Sequence, residues 1–260
     1  MTARIRTSWY SERVRREVTV VRWGHLGQPV LLFPTAGGDA EECERFLMLK
    51  VLSPLLEAGR IKVYSVDSIS GQAWINRDDW GPHRAKVQSA FHAFIVHELV
   101  PAIRADCNDR NIEIITAGAS IGAFNALSTL CRSPDIFRGA VCMSGTYDMS
   151  RWMDGKHTFD YHVSSPRHFV PRLPEGAQLH ALRKRFVILA TGEGRAEAPH
   201  ESWQAANALG GRGIPNRVDV WGPNWHHDWP TWRTMLPMYL DELTGGSQHA
   251  IPYHESPHGR

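Results

Sequence analysis

The residues best able to do chemistry stand at Gly118-Ala119-Ser120-Ile121-Gly122. An apolar strand-like stretch at 112–116 leads into this G-x-S-x-G pattern, and a helix-forming stretch at 121–130 leaves it. A strand-to-helix turn this tight forces the serine into a strained backbone conformation and lifts its hydroxyl above the sheet edge. The small residues on either side let strand and helix pass closely. Ser120 is therefore the expected nucleophile. A serine hydroxyl reacts poorly at neutral pH, so a general base must lie near it, and histidine is the usual choice.

In strand–helix folds with such an elbow, the acid and then the histidine follow the serine, on loops at the carboxyl ends of later strands. The last strand-like run ends at Trp221 and is followed by Gly222-Pro223-Asn224-Trp225-His226-His227-Asp228-Trp229-Pro230. Asp228 suits a helix N-cap and Pro230 the first helical turn, which leaves His226 or His227 on the loop as the base. The orienting acid belongs after the strand that runs to Thr191. Glu193 lies immediately past that strand end and is the expected acid; Glu197 is next, and Asp148 on the neighbouring strand's loop is a third option. Two backbone N–H groups should meet the developing oxyanion. One is that of Ile121, the residue after the nucleophile. The other is expected from Ala36, with Thr35 its neighbour, in the loop Phe33-Pro34-Thr35-Ala36-Gly37-Gly38, whose glycines allow close backbone approach.

These groups need a scaffold that gathers loops at one edge, and the chain's periodicity supplies it. Strand-like runs at 17–23, 29–33, 61–66, 112–116, 139–143, 185–189 and 218–221 alternate with helical patterns. The helical patterns fall at 40–57, 83–105 (kinked by Pro101), 121–130, 199–209 and 229–243. Short, continuously apolar strands separated by helices imply an α/β fold: a mostly parallel central sheet with helices on both faces. Residues 1–244 are expected to form one domain. Residues 150–184 break the rhythm with Pro, His and aromatic residues and read as a lid-like excursion. Residues 245–260 read as a mobile tail.

Composition narrows the partners. Lys plus Arg number 29 against 27 Asp plus Glu, a net charge of +2, too balanced for a protein that binds phosphate backbones. No apolar run approaches the length needed to span a bilayer, and the arginine-rich first residues do not read as a secretory signal. The four cysteines form no C-x-x-C pair and have no zinc-site partner, so free thiols in a reducing, cytoplasmic setting are expected, with no metal and no cofactor. Trp221, Trp225, Trp229 and Trp232 cluster beside the histidine loop. Trp225 and Trp229, with Thr35, are the expected substrate-binding residues, and the excursion would wall the rest of the pocket.

Six segments carry a family resemblance: FPTAGG (33–38), VDSISGQAW (66–74), HELVPAI (97–103), GASIG (118–122), MSGTYD (143–148) and VWGPNWHHDWPTW (220–232). With them the chain resembles the esterase branch of the α/β-hydrolase superfamily, the group that includes esterase D-type enzymes and mycolyltransferases. The resemblance spans most of the chain in order, and its His-Asp-Trp-Pro string selects His227 as the base. It implies a Ser–His–acid hydrolase that acts on a small-molecule ester through a serine acyl-enzyme, without metal. An acyltransferase using the same serine, or an inactive binding protein on the same fold, are the alternative readings. The sequence departs from the family at the acid. Such enzymes usually carry Gly-x-x-Asp after the strand, and here Gly192-Glu193-Gly194 is followed by Arg195.

Overall fold

A computed structural model describes residues 3–245. The expected tail lies, from residue 246 onward, outside the described residues. Eight strands form one sheet: β1 (Arg4–Ser11), β2 (Arg16–Trp23), β3 (Gln28–Phe33), β4 (Ile61–Val66), β5 (Ile114–Ala119), β6 (Phe137–Met143), β7 (Phe186–Thr191) and β8 (Asn216–Val220). Their spatial order is β1-β2-β4-β3-β5-β6-β7-β8. β1 and β2 pair antiparallel, β2 pairs antiparallel with β4, and every later neighbour is parallel. The parallel strands β3 to β7 are buried nearly throughout, which is why they read as unbroken apolar runs.

The helices are α1 (Glu42–Arg45), α2 (Met48–Glu57), α3 (Ile69–Ile75), α4 (Gly81–Phe94), α5 (Val100–Asp106), α6 (Ile121–Arg132), α7 (Phe159–Ser164), α8 (Pro166–Phe169), α9 (Ala177–Leu182), α10 (Pro199–Gly210) and α11 (Trp229–Leu243). They leave two large apolar clusters. One holds Phe33, Phe91, Phe94, Leu127 and Leu189; the other holds Leu32, Leu52, Ile115, Val141, Trp232 and Tyr239. α6 and α11 thus contribute to different clusters, and Ser120 and His227 each stand just before a helix anchored in one of them.

Several local differences from the expectations have physical causes. β1 lies outside the expected strands: its Arg-rich, largely exposed sequence is that of a charged edge, held by pairing with β2. The single helix expected at 40–57 breaks at Leu47, whose φ is 62°. No helix breaker stands there. Contacts from α11 cause the break: Phe46 stacks on Trp229 at 4.7 Å, and Arg233 Nη1 donates to the Phe46 carbonyl at 2.9 Å. The long helix at 83–105 is continuous through a π-turn at Ile95–Leu99, directly before α5 and Pro101; such a bulge absorbs the amide that proline lacks. α3 was not anticipated, since it carries Gly71. A Cβ on Gly71 would stand 2.2 Å from Ser68 Oγ and 3.1 Å from the Ala36 Cα, so the glycine lets α3 lie against the loop after β3. The excursion at 150–184 is largely helical, holding α7, α8, α9 and two short 3₁₀ turns. Its Met153 and Tyr161 pack with Trp74, Met149, Phe124 and Ile121, directly over the start of α6.

The elbow itself is fixed by backbone proximity. A Cβ on Gly122 would stand 2.6 Å from the Phe33 carbonyl oxygen and 2.7 Å from that of Pro34; one on Gly118 would stand 2.4 Å from Gly122. Gly122→Ala is expected to lower stability by about 1–3 kcal/mol, the usual cost of forcing atoms into a packed site, although alanine is the better helix former. Urea unfolding checks this; a variant as stable as the parent chain would show that β3 yields without cost.

Candidate active site

Ser120 sits between β5 and α6 with φ 58° and ψ −121°, a conformation that L-residues rarely adopt. It is half-buried, and its N–H donates to the Met143 carbonyl at 3.0 Å, which ties the elbow to the end of β6. The next residue, Ser144, has φ 47° and donates its N–H to the Ala190 carbonyl at 2.7 Å, which ties β6 to β7. Three strand ends are thereby stitched together beneath the serine.

The carboxylate beside the histidine is that of Glu197, not of Glu193, the acid expected from the sequence. Glu193 is exposed, and its part in the site is its backbone N–H, which donates to the Gly222 carbonyl at 2.9 Å. Glu197 has a fully buried side chain with Oε2 at 3.9 Å from His227 Nδ1. Its Oε1 accepts the Ser144 hydroxyl at 2.6 Å, and its Oε2 accepts that of Thr191 at 3.1 Å. The direction of the first bond is fixed by chemistry. Trp232 Nε1 can only donate, and it donates to Ser144 Oγ at 2.9 Å, so the Ser144 proton goes to Glu197. The chain reaches this position because residues 192–197 turn back on themselves: the Glu197 N–H donates to the Gly194 carbonyl at 3.2 Å, and Ala196 takes φ 63°. The family's usual acid position, Arg195, instead faces outward. Asp148 is occupied elsewhere, with the Ser150 N–H at 2.8 Å, the Tyr161 hydroxyl at 3.2 Å and Arg167 at 3.5 Å.

Two loops are zipped together to bring acid and histidine into register. The Gly194 N–H donates to the Trp225 carbonyl at 2.9 Å, the Arg195 N–H to His226 Nδ1 at 2.9 Å, and the His227 N–H to the Arg195 carbonyl at 3.1 Å. Glycines are needed for this approach: a Cβ on Gly192 would stand 2.0 Å from the Trp225 oxygen, and one on Gly194 2.0 Å from His226 Nδ1. His226 therefore serves as a backbone acceptor, while His227 turns inward. Its ring packs edge-on to Trp232 with centroids 5.2 Å apart. Burial pushes the His227 pKa below its ordinary value, opposed by the negative charges of Glu197 and Asp228. Asp228 caps α11, accepting the Trp229 N–H at 2.7 Å, and Pro230 occupies its first turn, as the sequence indicated.

Ala36 and Ile121 lie together, Ala36 packing on the cluster that contains Ile121. The Ala36 N–H makes no hydrogen bond among the described residues. Thr35, the expected substrate contact, is held by Glu42. Its N–H and its hydroxyl both donate to Glu42, at 2.7 and 2.6 Å. Burial pushes the Glu42 carboxyl pKa up, and the two bonds from Thr35 pull it back. Trp229 lines a small cavity of about 10 Å³ with Thr35, Glu42, Ala119, Met143 and Trp232. Trp225 lies elsewhere, edge-on to Trp221 at 4.9 Å. Among the described residues, no group of three or more His, Cys, Asp or Glu is placed to hold a metal ion, and no helix is long and apolar enough to cross a membrane.

A mostly parallel eight-stranded sheet carrying a serine on a strained strand-to-helix elbow defines the α/β-hydrolase class. The family model described as "Putative esterase" matches residues 76–243, more than half of the chain, so the protein belongs to that family of serine esterases. Among solved structures, a ferulic acid esterase superposes with TM-score 0.73 at 15% identity, covering 94% of this chain and 98% of that one. An S-formylglutathione hydrolase from Agrobacterium tumefaciens gives TM-score 0.72 at 12% identity, with coverage of 94% and 95%. The fluorophosphonate-binding serine hydrolase F of Staphylococcus aureus gives 0.65 at 13% identity, with coverage of 94% and 99%. A search of the curated proteins gives no match. These solved structures share the fold.

Ser144→Ala would leave Trp232 Nε1 and one Glu197 oxygen without their partner inside the protein. We expect a stability loss of about 2–4 kcal/mol, since each buried polar group left unpaired costs about 1–3 kcal/mol. Thermal unfolding checks this; an unchanged Tm would mean that water replaces the hydroxyl without cost.

Proposed function

We propose that the protein hydrolyses small-molecule carboxylic esters with Ser120 as nucleophile, His227 as general base and Glu197 as the acid that orients it. The observation that carries this reading is the buried Glu197 carboxylate facing His227 Nδ1. It supplies the group whose absence at the usual position would have favoured an inactive binding protein. His227 Nε2 takes the Ser120 proton as Ser120 Oγ bonds to the ester carbonyl carbon. The carbonyl π electrons move to oxygen, and the N–H groups of Ile121 and Ala36 receive that oxyanion. As the tetrahedral adduct collapses, the bond to the leaving alkoxide breaks and His227 returns the proton to it. Water then attacks the acyl-enzyme, giving its proton to His227, and the carboxylic acid departs as Ser120 regains a proton. Each oxyanion donor is worth roughly 3–4 kcal/mol in the transition state.

Glu197 holds the Nδ1–H tautomer and offsets the positive charge that His227 acquires. Burial on the His227 side and two donated hydroxyls on the Glu197 side fit the pair for that work. We place the protein in a reducing compartment such as the cytoplasm. Its four cysteines are unpaired, and burial pushes the thiols of Cys43, Cys131 and Cys142 well above their ordinary pKa.

Ser120→Ala is expected to abolish turnover of p-nitrophenyl esters and labelling by a fluorophosphonate probe. Retention of a tenth of the parent kcat (about 1.4 kcal/mol of barrier) removes Ser120 from the scheme. Glu197→Gln should lower kcat on the order of 10⁴-fold, with Glu193→Gln close to silent; the reverse order would restore Glu193 as the acid.

The base must be neutral to accept the serine proton, so kcat/KM should fall as pH drops through the His227 pKa. Because that pKa is lowered by burial, the acid limb should lie below about 6.5, the ordinary histidine value. Glu197 raises the His227 pKa, so Glu197→Gln should move the limb further toward acid. A pH profile whose limb moves upward in that variant would place another group in the role of base.

A further inference from the structure

The loop that follows β3 contains a buried carboxylate that the proposed mechanism does not use. Glu42, at the start of α1, is 5% exposed. Both donors of Thr35 point at its carboxylate, the N–H at 2.7 Å and the hydroxyl at 2.6 Å. On its other side a Cβ on Gly38 would stand 2.5 Å from the Glu42 carboxyl carbon and 2.6 and 2.7 Å from its oxygens. Only glycine at 38 lets the carboxylate in. A negative charge beside a developing oxyanion would ordinarily oppose catalysis, so its placement here needs a reason.

The geometry of the loop provides one. Of the successive peptide groups, the one ending in the Thr35 N–H is held by Glu42, and the next, Thr35 C=O with Ala36 N–H, leaves its N–H without a partner among the described residues. The Thr35 carbonyl accepts the Gly38 N–H at 3.1 Å, which closes the turn and polarises the same peptide group whose N–H belongs to Ala36. Gln72 Nε2 donates to the Gly38 carbonyl at 3.1 Å, and the Ala40 N–H donates to Asp67 Oδ1 at 3.1 Å, so both ends of the turn are anchored. From behind, Gly71 of α3 sits against the Ala36 Cα and carbonyl. With Thr35 spoken for, the loop can offer Ala36 but not Thr35 to an oxyanion.

We infer that Glu42 is the positioning residue of the oxyanion site: by accepting both donors of Thr35, it selects and aims the Ala36 N–H beside that of Ile121. This rests on the assignment of Ser120 as nucleophile and Ala36 as donor. Glu42 does not touch the substrate; it acts through the peptide of residues 35 and 36. Its loss should be felt where the oxyanion is formed and hardly at all in ground-state binding.

The test compares the full-length chain with Glu42→Ala, Glu42→Gln and Thr35→Val, using p-nitrophenyl acetate kinetics and inhibition by a trifluoromethyl ketone, whose adduct with serine carries an oxyanion. Glu42→Ala should lower kcat by about 10²–10³-fold, the cost of one oxyanion donor, with KM within about twofold. Affinity for the trifluoromethyl ketone should fall by a similar factor. Glu42→Gln keeps the shape: its amide oxygen can accept the Thr35 N–H while its NH₂ donates to the Thr35 hydroxyl. It should therefore retain kcat within about tenfold.

A kcat within threefold of the parent in Glu42→Ala overturns the inference. So does a loss of kcat that the ketone affinity does not follow, since that pattern marks a role in folding alone. Should Glu42→Ala fail to fold, Thr35→Val decides: it keeps the backbone bond and removes the hydroxyl, and should lower kcat and ketone affinity together by about tenfold. Unchanged values in that variant overturn the inference equally. Failure of the underlying assignment is distinct, because Ser120→Ala would then remain active or the parent chain would resist the fluorophosphonate.

Discussion

Gly122 in the first turn of α6 approaches the carbonyl oxygens of Phe33 and Pro34 so closely that no side chain fits between them. That approach joins the strand leading into Ser120 to the strand whose loop carries the proposed oxyanion donor. The strained backbone of Ser120 is held in place by what surrounds it: the sheet below, the Met143 carbonyl on the Ser120 N–H, and Ile121 buried in the cluster beneath the helical excursion. A position costing on the order of 1–3 kcal/mol persists only when such neighbours over-determine it.

The other half of the site rests on a different device. β7 and β8 end side by side, and the loops that leave them are paired through backbone hydrogen bonds before either reaches its helix. His226 is consumed in that pairing, which frees His227 to turn inward. Glu197 reaches His227 because the loop turns at Ala196, and its carboxylate is then fixed by Ser144 and Thr191. Trp232 connects the two halves. It donates to Ser144 at the end of β6, packs against the His227 ring, and belongs to the helix that His227 introduces. The histidine is thus located by the strand that neighbours the nucleophile as well as by its own loop.

Polar groups near the site fall into two kinds. Some are satisfied internally and hold loops: Glu42 on Thr35, Asp67 on Thr19 and Ala40, Asp148 on Tyr161 and Arg167. Others keep unused capacity, the Ala36 amide among them. Ala36 is half-buried beside the exposed Gly37, so its amide can be reached from outside.

The sequence by itself determined the parallel part of the sheet, the tight strand-to-helix turn at Ser120 and the start of α11 just after the histidine pair. Strands buried on both faces read as apolar runs, G-x-S-x-G between a strand and a helix leaves few backbone solutions, and Asp-Trp-Pro after His227 marks a helix start. Each of these signals is local, carried by residues within a few positions of one another. Which carboxylate lies beside His227 was decided by tertiary structure. Along the chain Glu193 stands ahead of Glu197, being nearer the strand end; the pairing of 192–195 with 222–227 and the left-handed turn at Ala196 leave Glu193 exposed and bring Glu197 to His227. The break at Leu47, beside the contacts of α11 with Phe46, and the bond from Thr35 to Glu42 likewise arise in the tertiary structure. Their causes lie in contacts between segments far apart in the chain, where local pattern carries no information about which side chain will meet which.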